Sequence, residues 1–278
     1  MQGNPETVAR APWKVAVGGL GAVGRKVAQA LDAGLPGLAL AAVSARDVTR
    51  AKPILASFRR AVPLLPLSEL AAAADIVVEC APAAALPEVA EPVLKAGKTL
   101  VVISVGALLS NEGLIALAAR HGGQIIVPTG ALIGLDAVSA AAEGRIESVR
   151  MKTRKPVKGL VGAPFLAERC IDIEAIKEPV KIFEGSAREA AKGFPANLNV
   201  AVALGLAGIG PDRTWLEVWA DPTIDRNTHE IEVVADSASF SMRIANVPTE
   251  DNPRTGKITA LSVIACLRKM RAPLRIGT

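Results

Sequence analysis

The run Lys14-Val-Ala-Val-Gly-Gly-Leu-Gly-Ala-Val-Gly24 restricts this chain more than any other stretch. Val15, Ala16 and Val17 form a short apolar run of strand length, and Gly19, Gly21 and Gly24 follow it at G-x-G-x-x-G spacing. Val23, Val27, Ala30 and Leu31 then recur at i, i+4, i+7 and i+8, the period of a helix with one buried face. In a strand–turn–helix unit of this kind the first glycine permits the tight turn. The second leaves bare backbone for a pyrophosphate, and the third lets the helix lie close to the strand. The N–H groups at the helix start then face the phosphates. Glycine-rich turns are common, so the strand before and the helix after give the motif its weight. They predict a dinucleotide site at Gly19, Leu20, Gly21, Ala22, Val23 and Gly24.

At 278 residues the chain has room for one large domain or two ordinary ones. Half of it is apolar, yet it has no Tyr, three Trp and five Phe. Ala, Val, Leu and Ile must therefore fill the core, which suits parallel strands covered by helices. Cys80, Cys170 and Cys266 are odd in number and far apart, without the spacing of a disulfide framework or a zinc site. A reducing cytoplasm and no metal are expected. The N-terminal residues show no signal peptide. The apolar region 70–90 is interrupted by Asp75, Glu79, Pro82 and Pro87, short of the ~18 apolar residues of a membrane span. The net charge is +5, and Arg150, Lys152, Arg154, Lys155 and Lys158 form a basic cluster. It reads either as an anion site or as a strand edge kept soluble by charge. No nucleic-acid motif accompanies it, and neither nucleic acid nor membrane is expected as a partner.

Along the chain, Leu38–Val43 makes a second apolar strand. The residue ending that strand, about 20 positions beyond the glycines, touches the adenosine ribose in this type of fold. An acid there selects NAD; here Ser44 and Arg46 stand instead, able to receive a 2′-phosphate, while Asp47 caps a helix near 47–60. NADP, or tolerance of both cofactors, follows. Next come a strand Val62–Leu65, a short helix capped by Ser68, a strand Asp75–Ala81 and a helix to Gly97. A strand Thr99–Ser104, a helix Asn111–Arg120 and a strand Gln124–Val127 complete an alternation that predicts a Rossmann-type doubly wound parallel sheet. Ligands bind beyond the carboxyl ends of such strands, which makes the turns at 18–24, 80–83, 104–107 and 128–131 candidate cofactor walls. They add Cys80, Ala81, Ser104, Val105 and Gly106 to the candidate residues.

After about residue 145 the period changes. Ile146–Arg154, Trp215–Ala220, His229–Ala235 and Ser239–Ala245 read as strands, and Phe240, Met242 and Ile244 alternate with Ser239, Ser241 and Arg243. Short loops between the last three suggest antiparallel pairing. The second domain is therefore expected to be α/β (α+β) with a largely antiparallel sheet. Ser186 and Glu189 form a capping box, and Asn197 or Asn199 opens an alanine-rich helix. The domains are placed at 1–130 and 131–249, with a helix within about 250–278 returning to the first.

Two histidines are present. His121 ends a helix before two glycines, a structural position. His229 follows the polar loop Asp225-Arg-Asn-Thr228 and shares a strand face with Ile231 and Val233. There it is either satisfied by its loop or placed to move protons. Cys80 sits at a strand end, where a nucleophilic thiol is conceivable, but no neighbour in sequence would lower its pKa. Asn197 and Asn199 are helix caps or partners for a carboxamide.

The pattern resembles the L-aspartate dehydrogenase family. The resemblance runs through Gly19–Gly24, Ser104-Val-Gly-Ala107, Pro128-Thr-Gly-Ala-Leu-Ile-Gly-Leu-Asp-Ala137, Thr153-Arg-Lys-Pro156, Phe194-Pro-Ala-Asn-Leu-Asn-Val-Ala201 and Asp225-Arg-Asn-Thr-His229. It implies a homodimer joined through the second domain's sheet, and NAD- or NADP-dependent oxidation of L-aspartate to iminoaspartate, which yields oxaloacetate and ammonia. It also implies a link to NAD biosynthesis. The family's catalytic histidine falls on His229, and its cofactor-contacting alanine and asparagine fall on Ala131 and Asn199. The substrate carboxylates need cationic or amide partners, for which Arg154, Lys155, Lys158 and Asn197 are candidates. A homoserine- or semialdehyde-type oxidoreductase and a non-catalytic NAD(P)-sensing protein are the alternatives.

Overall fold

The computed structural model describes residues 11–195, 198–252 and 255–277. Its first sheet is wholly parallel, in the order β2-β1-β3-β4-β5, with β1 Trp13–Gly18, β2 Leu38–Ser44, β3 Ile76–Glu79, β4 Thr99–Val102 and β5 Gln124–Ile126. Val17 in β1 is flanked by Val43 and Val78, all fully buried. Apolar runs without alternation are what a sheet covered on both faces requires. The expected strand Val62–Leu65 is reduced to a single bridge, Leu64 beside Val43, held by backbone hydrogen bonds to Pro63 and from Leu65. Pro63 and Pro66 limit that segment, because proline has no N–H to extend a ladder. The sheet order reverses between β1 and β3, and the cleft above that reversal is where such sheets receive ligands.

The helix Ala22–Gly34 covers one face of this sheet through Val27, Ala28 and Leu31. The last helix, Lys257–Arg271, lays Val263 and Leu267 into the same cluster. The other face merges into a core that continues into the second sheet, from Val77 and Leu100 to Met151, Leu216 and Ile231.

The second sheet is mixed, in the order β10-β9-β6-β8-β7, with β6 Ile146–Lys155, β7 Val180–Ser186, β8 Thr214–Ala220, β9 Thr228–Ala235 and β10 Ser239–Ala245. Three of its four pairings are antiparallel, and β6 and β8 run parallel. The expected direct pairing of β8 with β9 does not occur, because β6 lies between them. Strand β7 was not expected: its outer end is charged and exposed, so it carries little alternation. The inward face of β6 carries Val149, Met151, Thr153 and Lys155, and its outward face Arg150, Lys152 and Arg154. The basic cluster is thus not a strand edge. Its members Arg150, Lys152 and Arg154 lie on the outer face of the central strand, where Arg150 stands opposite Glu232 and Lys152 opposite Glu230, while Lys155 faces inward and Lys158 lies beyond the strand. Among the described residues no helix is long and apolar enough to cross a membrane.

Candidate active site

At the end of β1 the chain turns through Gly19, whose φ of +113° suits glycine alone. A Cβ there would sit 2.5 Å from the Cys80 carbonyl oxygen, and one on Gly24 would overlap the Gly19 carbonyl. Those two glycines let strand, turn and helix close on one another. Gly21 differs: a Cβ built on it meets nothing within 4 Å. Its bare backbone faces open space at the start of a 13-residue helix that no side chain caps. First-turn N–H groups without intrahelical partners point into that space. The arrangement fits a dinucleotide's phosphates. Gly19 N–H donates to the Ser44 carbonyl (2.9 Å) and Cys80 N–H to the Gly18 carbonyl (2.8 Å), which fixes the turn against both neighbouring strands. Ser44 is buried, Arg46 is exposed beyond it, and Asp47 caps the helix Val48–Ala56 by accepting from Arg50 N–H.

The walls at 80–83 and 104–107 are tied together from beneath. Glu79, fully buried, accepts from the N–H groups of Ile103 (3.1 Å) and Ser104 (2.9 Å) and from the Ser104 hydroxyl (3.0 Å). Burial pushes the Glu79 carboxyl up, opposed by the hydrogen bonds from Ser104 and Ile103. Ser104 therefore acts as a strut between β3 and β4, its hydroxyl also reaching the Ala81 carbonyl (3.3 Å). Burial, reinforced by Glu79, raises the Cys80 thiol well above its ordinary value. A thiol held in that form is a poor nucleophile, which counts against a nucleophilic role for Cys80. The Asn199 amide oxygen accepts from Gly106 N–H at 2.9 Å, and among the described residues its NH2 group has no hydrogen-bond partner. Asn199 does not cap its own helix, Asn199–Ala207, which begins after Leu198 without a side-chain cap. Asn197 lies outside the described residues.

Between the sheets lies a cleft enclosing about 800 Å³, its open mouth included. The helices and turns that follow the strands of the first sheet line it with Val23, Val105 and Ala131, and the second sheet and the loop before β9 with Lys155, His229 and Asn227. Asn199, Asn246 and Thr259 close it. His229 and Lys155 are 2% and 3% exposed. His229 stands opposite Thr153 in the β6–β9 register, and its Nδ1 lies 2.8 Å from Thr153 Oγ1. When Nδ1–H donates to that hydroxyl, the lone pair is on Nε2. Burial, and then the nearby Lys155 ammonium, lower the His229 pKa to about 3. Burial lowers the Lys155 pKa to about 8. Among the described residues no carboxylate pairs with Lys155.

Two candidates do not reach the cleft. Arg154, on the opposite face of β6 from Lys155, turns outward to Asp221 (3.4 Å) and the Trp219 ring (5.7 Å). Lys158 is exposed in the short helix Val157–Leu160. Two lining residues, Asn227 and Asn246, and Thr153 beside His229 carry no assigned role in the sequence reading. Thr153 shares a face with Lys155 two residues on. Asn227 and Asn246 meet across the ends of β9 and β10, where Asn246 N–H donates to the Asn227 carbonyl. The Asn246 NH2 group holds the Ala131 carbonyl at 3.0 Å. Asn246 continues the alternation of Phe240, Met242 and Ile244, and that parity was the available signal. Among the described residues no group of three or more His, Cys, Asp or Glu side chains could hold a metal ion.

A parallel sheet with a glycine-turn phosphate cradle, joined at a buried cleft to a histidine-bearing second sheet, defines a pyridine-nucleotide-dependent oxidoreductase. Residues 19–128 match the NAD-binding domain of homoserine dehydrogenase, and residues 136–270 the C-terminal domain of aspartate dehydrogenase. The chain is 60% identical to the L-aspartate dehydrogenase of Bradyrhizobium diazoefficiens over 98% of its own length and 97% of that protein. It is 62% identical to L-aspartate dehydrogenase 3 of Bordetella bronchiseptica, with 95% and 97% covered. The crystal structure of aspartate dehydrogenase from Thermotoga maritima superposes with a TM-score of 0.69 at 25% identity, covering 95% of this chain and 99% of that one. The chain belongs to the L-aspartate dehydrogenase family.

Proposed function

We propose that the cleft oxidises the CH–NH2 group of L-aspartate to iminoaspartate, with His229 handling the proton and Lys155 holding a substrate carboxylate. One observation carries this assignment. An ammonium and an imidazole, both buried and neither paired with a carboxylate, share one sheet face in the cleft below the dinucleotide cradle. A buried cation without a counter-anion is costly, and a dicarboxylate substrate supplies that anion. Bound NAD or NADP would supply the hydride acceptor, held by the Gly19–Gly24 turn, Val105, Gly106, Ala131 and the free NH2 of Asn199. His229 Nε2 takes the proton of the substrate ammonium, leaving the amine lone pair able to assist hydride departure. Hydride loss from the neutral amine leaves an iminium; after releasing its proton to solvent, His229 takes a proton from the water that adds to that carbon and passes it to the nitrogen, which departs as ammonia and leaves oxaloacetate.

Exposed Arg46 supports acceptance of a 2′-phosphate and hence of NADP beside NAD. The domain division at 130–131 and a role in NAD biosynthesis belong to the same reading, as does a cytoplasmic setting. The outer face of the second sheet, with Trp215 45% exposed and Val234 38% exposed, supports the homodimer. Oxidation of NADH and NADPH by oxaloacetate with ammonia is the direct test, with homoserine as the competing substrate in the reverse direction. His229→Ala is expected to lower kcat by roughly 10²–10⁴-fold while dinucleotide affinity stays unchanged. Full turnover in that variant removes His229 from the mechanism.

A further inference from the structure

A base that takes a proton from an ammonium must be basic when substrate is present, yet His229 is buried beside a cation. The surroundings show what can change this. From β6, Thr153 and Lys155 face the imidazole. From β10, Ile244 pairs with His229 and Asn246 follows on the same face. The helix Asn199–Ala207 brings Asn199, Val200 and Ala203 to the cleft, and the last helix brings Thr259. None of these except Lys155 titrates or carries charge. Asp221, beyond β8, is buried but already engaged by Arg154 and by the Thr223 N–H and hydroxyl. Asp225 and Arg226, in the loop before β9, pair with each other at the surface.

Resting on the aspartate reading, we propose that Lys155 is a positioning residue for the proton-handling step: its unpaired ammonium adds to burial in keeping the His229 imidazole neutral, and a substrate carboxylate on Lys155 removes that added opposition so that the imidazole can accept a proton. Like charges in a water-poor cavity oppose each other's ionisation, and a paired carboxylate cancels that opposition. It agrees with the lowered values of both groups in the ligand-free cleft. The base is thereby armed by the molecule it acts on, and a monocarboxylate too short to reach Lys155 leaves it unarmed.

Only two histidines exist, so the full-length protein carrying 13C-labelled histidine gives two ring signals, His121 and His229. The probe is succinate, a dicarboxylate without the reacting amine, at saturating concentration with the oxidised dinucleotide. The expected result is a rise of at least about one pH unit in the His229 midpoint, tenfold in proton affinity. Lys155→Met is expected to raise the midpoint without succinate and to show no further rise with it. Lys155→Gln serves the same arm if Lys155→Met does not fold. A His229 midpoint that ignores succinate while calorimetry shows succinate bound overturns the proposal, as does a Lys155→Met midpoint equal to wild type. Absence of succinate binding, with the midpoint still raised in Lys155→Met, instead preserves the coupling and counts against the dicarboxylate reading.

Discussion

Gly21→Ala separates the needs of the fold from those of the ligand. The added methyl meets no atom within 4 Å, and Gly21 has φ −73° and ψ −167°, a conformation alanine adopts freely. Replacing glycine at a compatible position stabilises by roughly 0.4–1 kcal/mol through the unfolded chain. Gly21 is also the N-cap, where alanine is less favoured than glycine by a comparable amount. These offset, and at roughly 2–4 °C per kcal/mol for a chain approaching this size Tm should move by no more than about 2 °C. Binding should behave oppositely. The methyl fills the space in which the pyrophosphate would lie, and a loss of about 1.4–2.7 kcal/mol corresponds to a tenfold to hundredfold weaker Kd. Gly24→Ala is the internal contrast: its methyl overlaps the Gly19 carbonyl, and such overpacking costs about 1–3 kcal/mol in the folded protein itself. Calorimetric titration with NADH beside thermal melts of the three proteins reads both quantities. Wild-type dinucleotide affinity in Gly21→Ala would refute the placement of the phosphates, and with it the orientation of the whole cleft.

Thr153→Val leaves a buried imidazole nitrogen without its partner and should cost about 1–3 kcal/mol in stability, read by chemical denaturation, along with a drop in kcat. Arg46→Asp should shift preference from NADP to NAD, measured as the ratio of kcat/KM for the two cofactors. The folded pKa values of His229 and Lys155 lie below their ordinary 6.5 and 10.5, at about 3 and about 8. In each window the unfolded chain therefore binds more protons than the native one, and stability rises with pH. The Tm of the ligand-free protein should increase between pH 5 and 6.5, and His229→Asn should flatten that step.

The glycine turn and the parallel sheet were legible because their signals are local. A strand, three glycines and an amphipathic helix lie within one short stretch, and buried parallel strands declare themselves as unbroken Val and Ile runs. His229 was legible for a similar reason, since a polar loop followed by an alternating strand places it at a mouth. The second sheet was harder. That β6 inserts between β8 and β9 depends on contacts far apart in sequence, and no short-range rule anticipates it. The choice among Arg154, Lys155 and Lys158 depended on strand parity. Once Thr153 is set opposite His229, Lys155 must face inward and Arg154 outward. Ser104 is a cofactor candidate because it follows a strand, and no local pattern announces that its hydroxyl also donates to the buried carboxyl of Glu79, a partner 25 residues earlier.

The helix Lys257–Arg271, which lies beside Ala22–Gly34 and brings Thr259 to the cleft, ties the phosphate cradle to a segment far along the chain. Cutting the chain before Lys257 would therefore strip a wall from the chamber and uncover Val27 and Leu31 behind the cradle in one stroke, so the nucleotide-binding sheet is not a separable module.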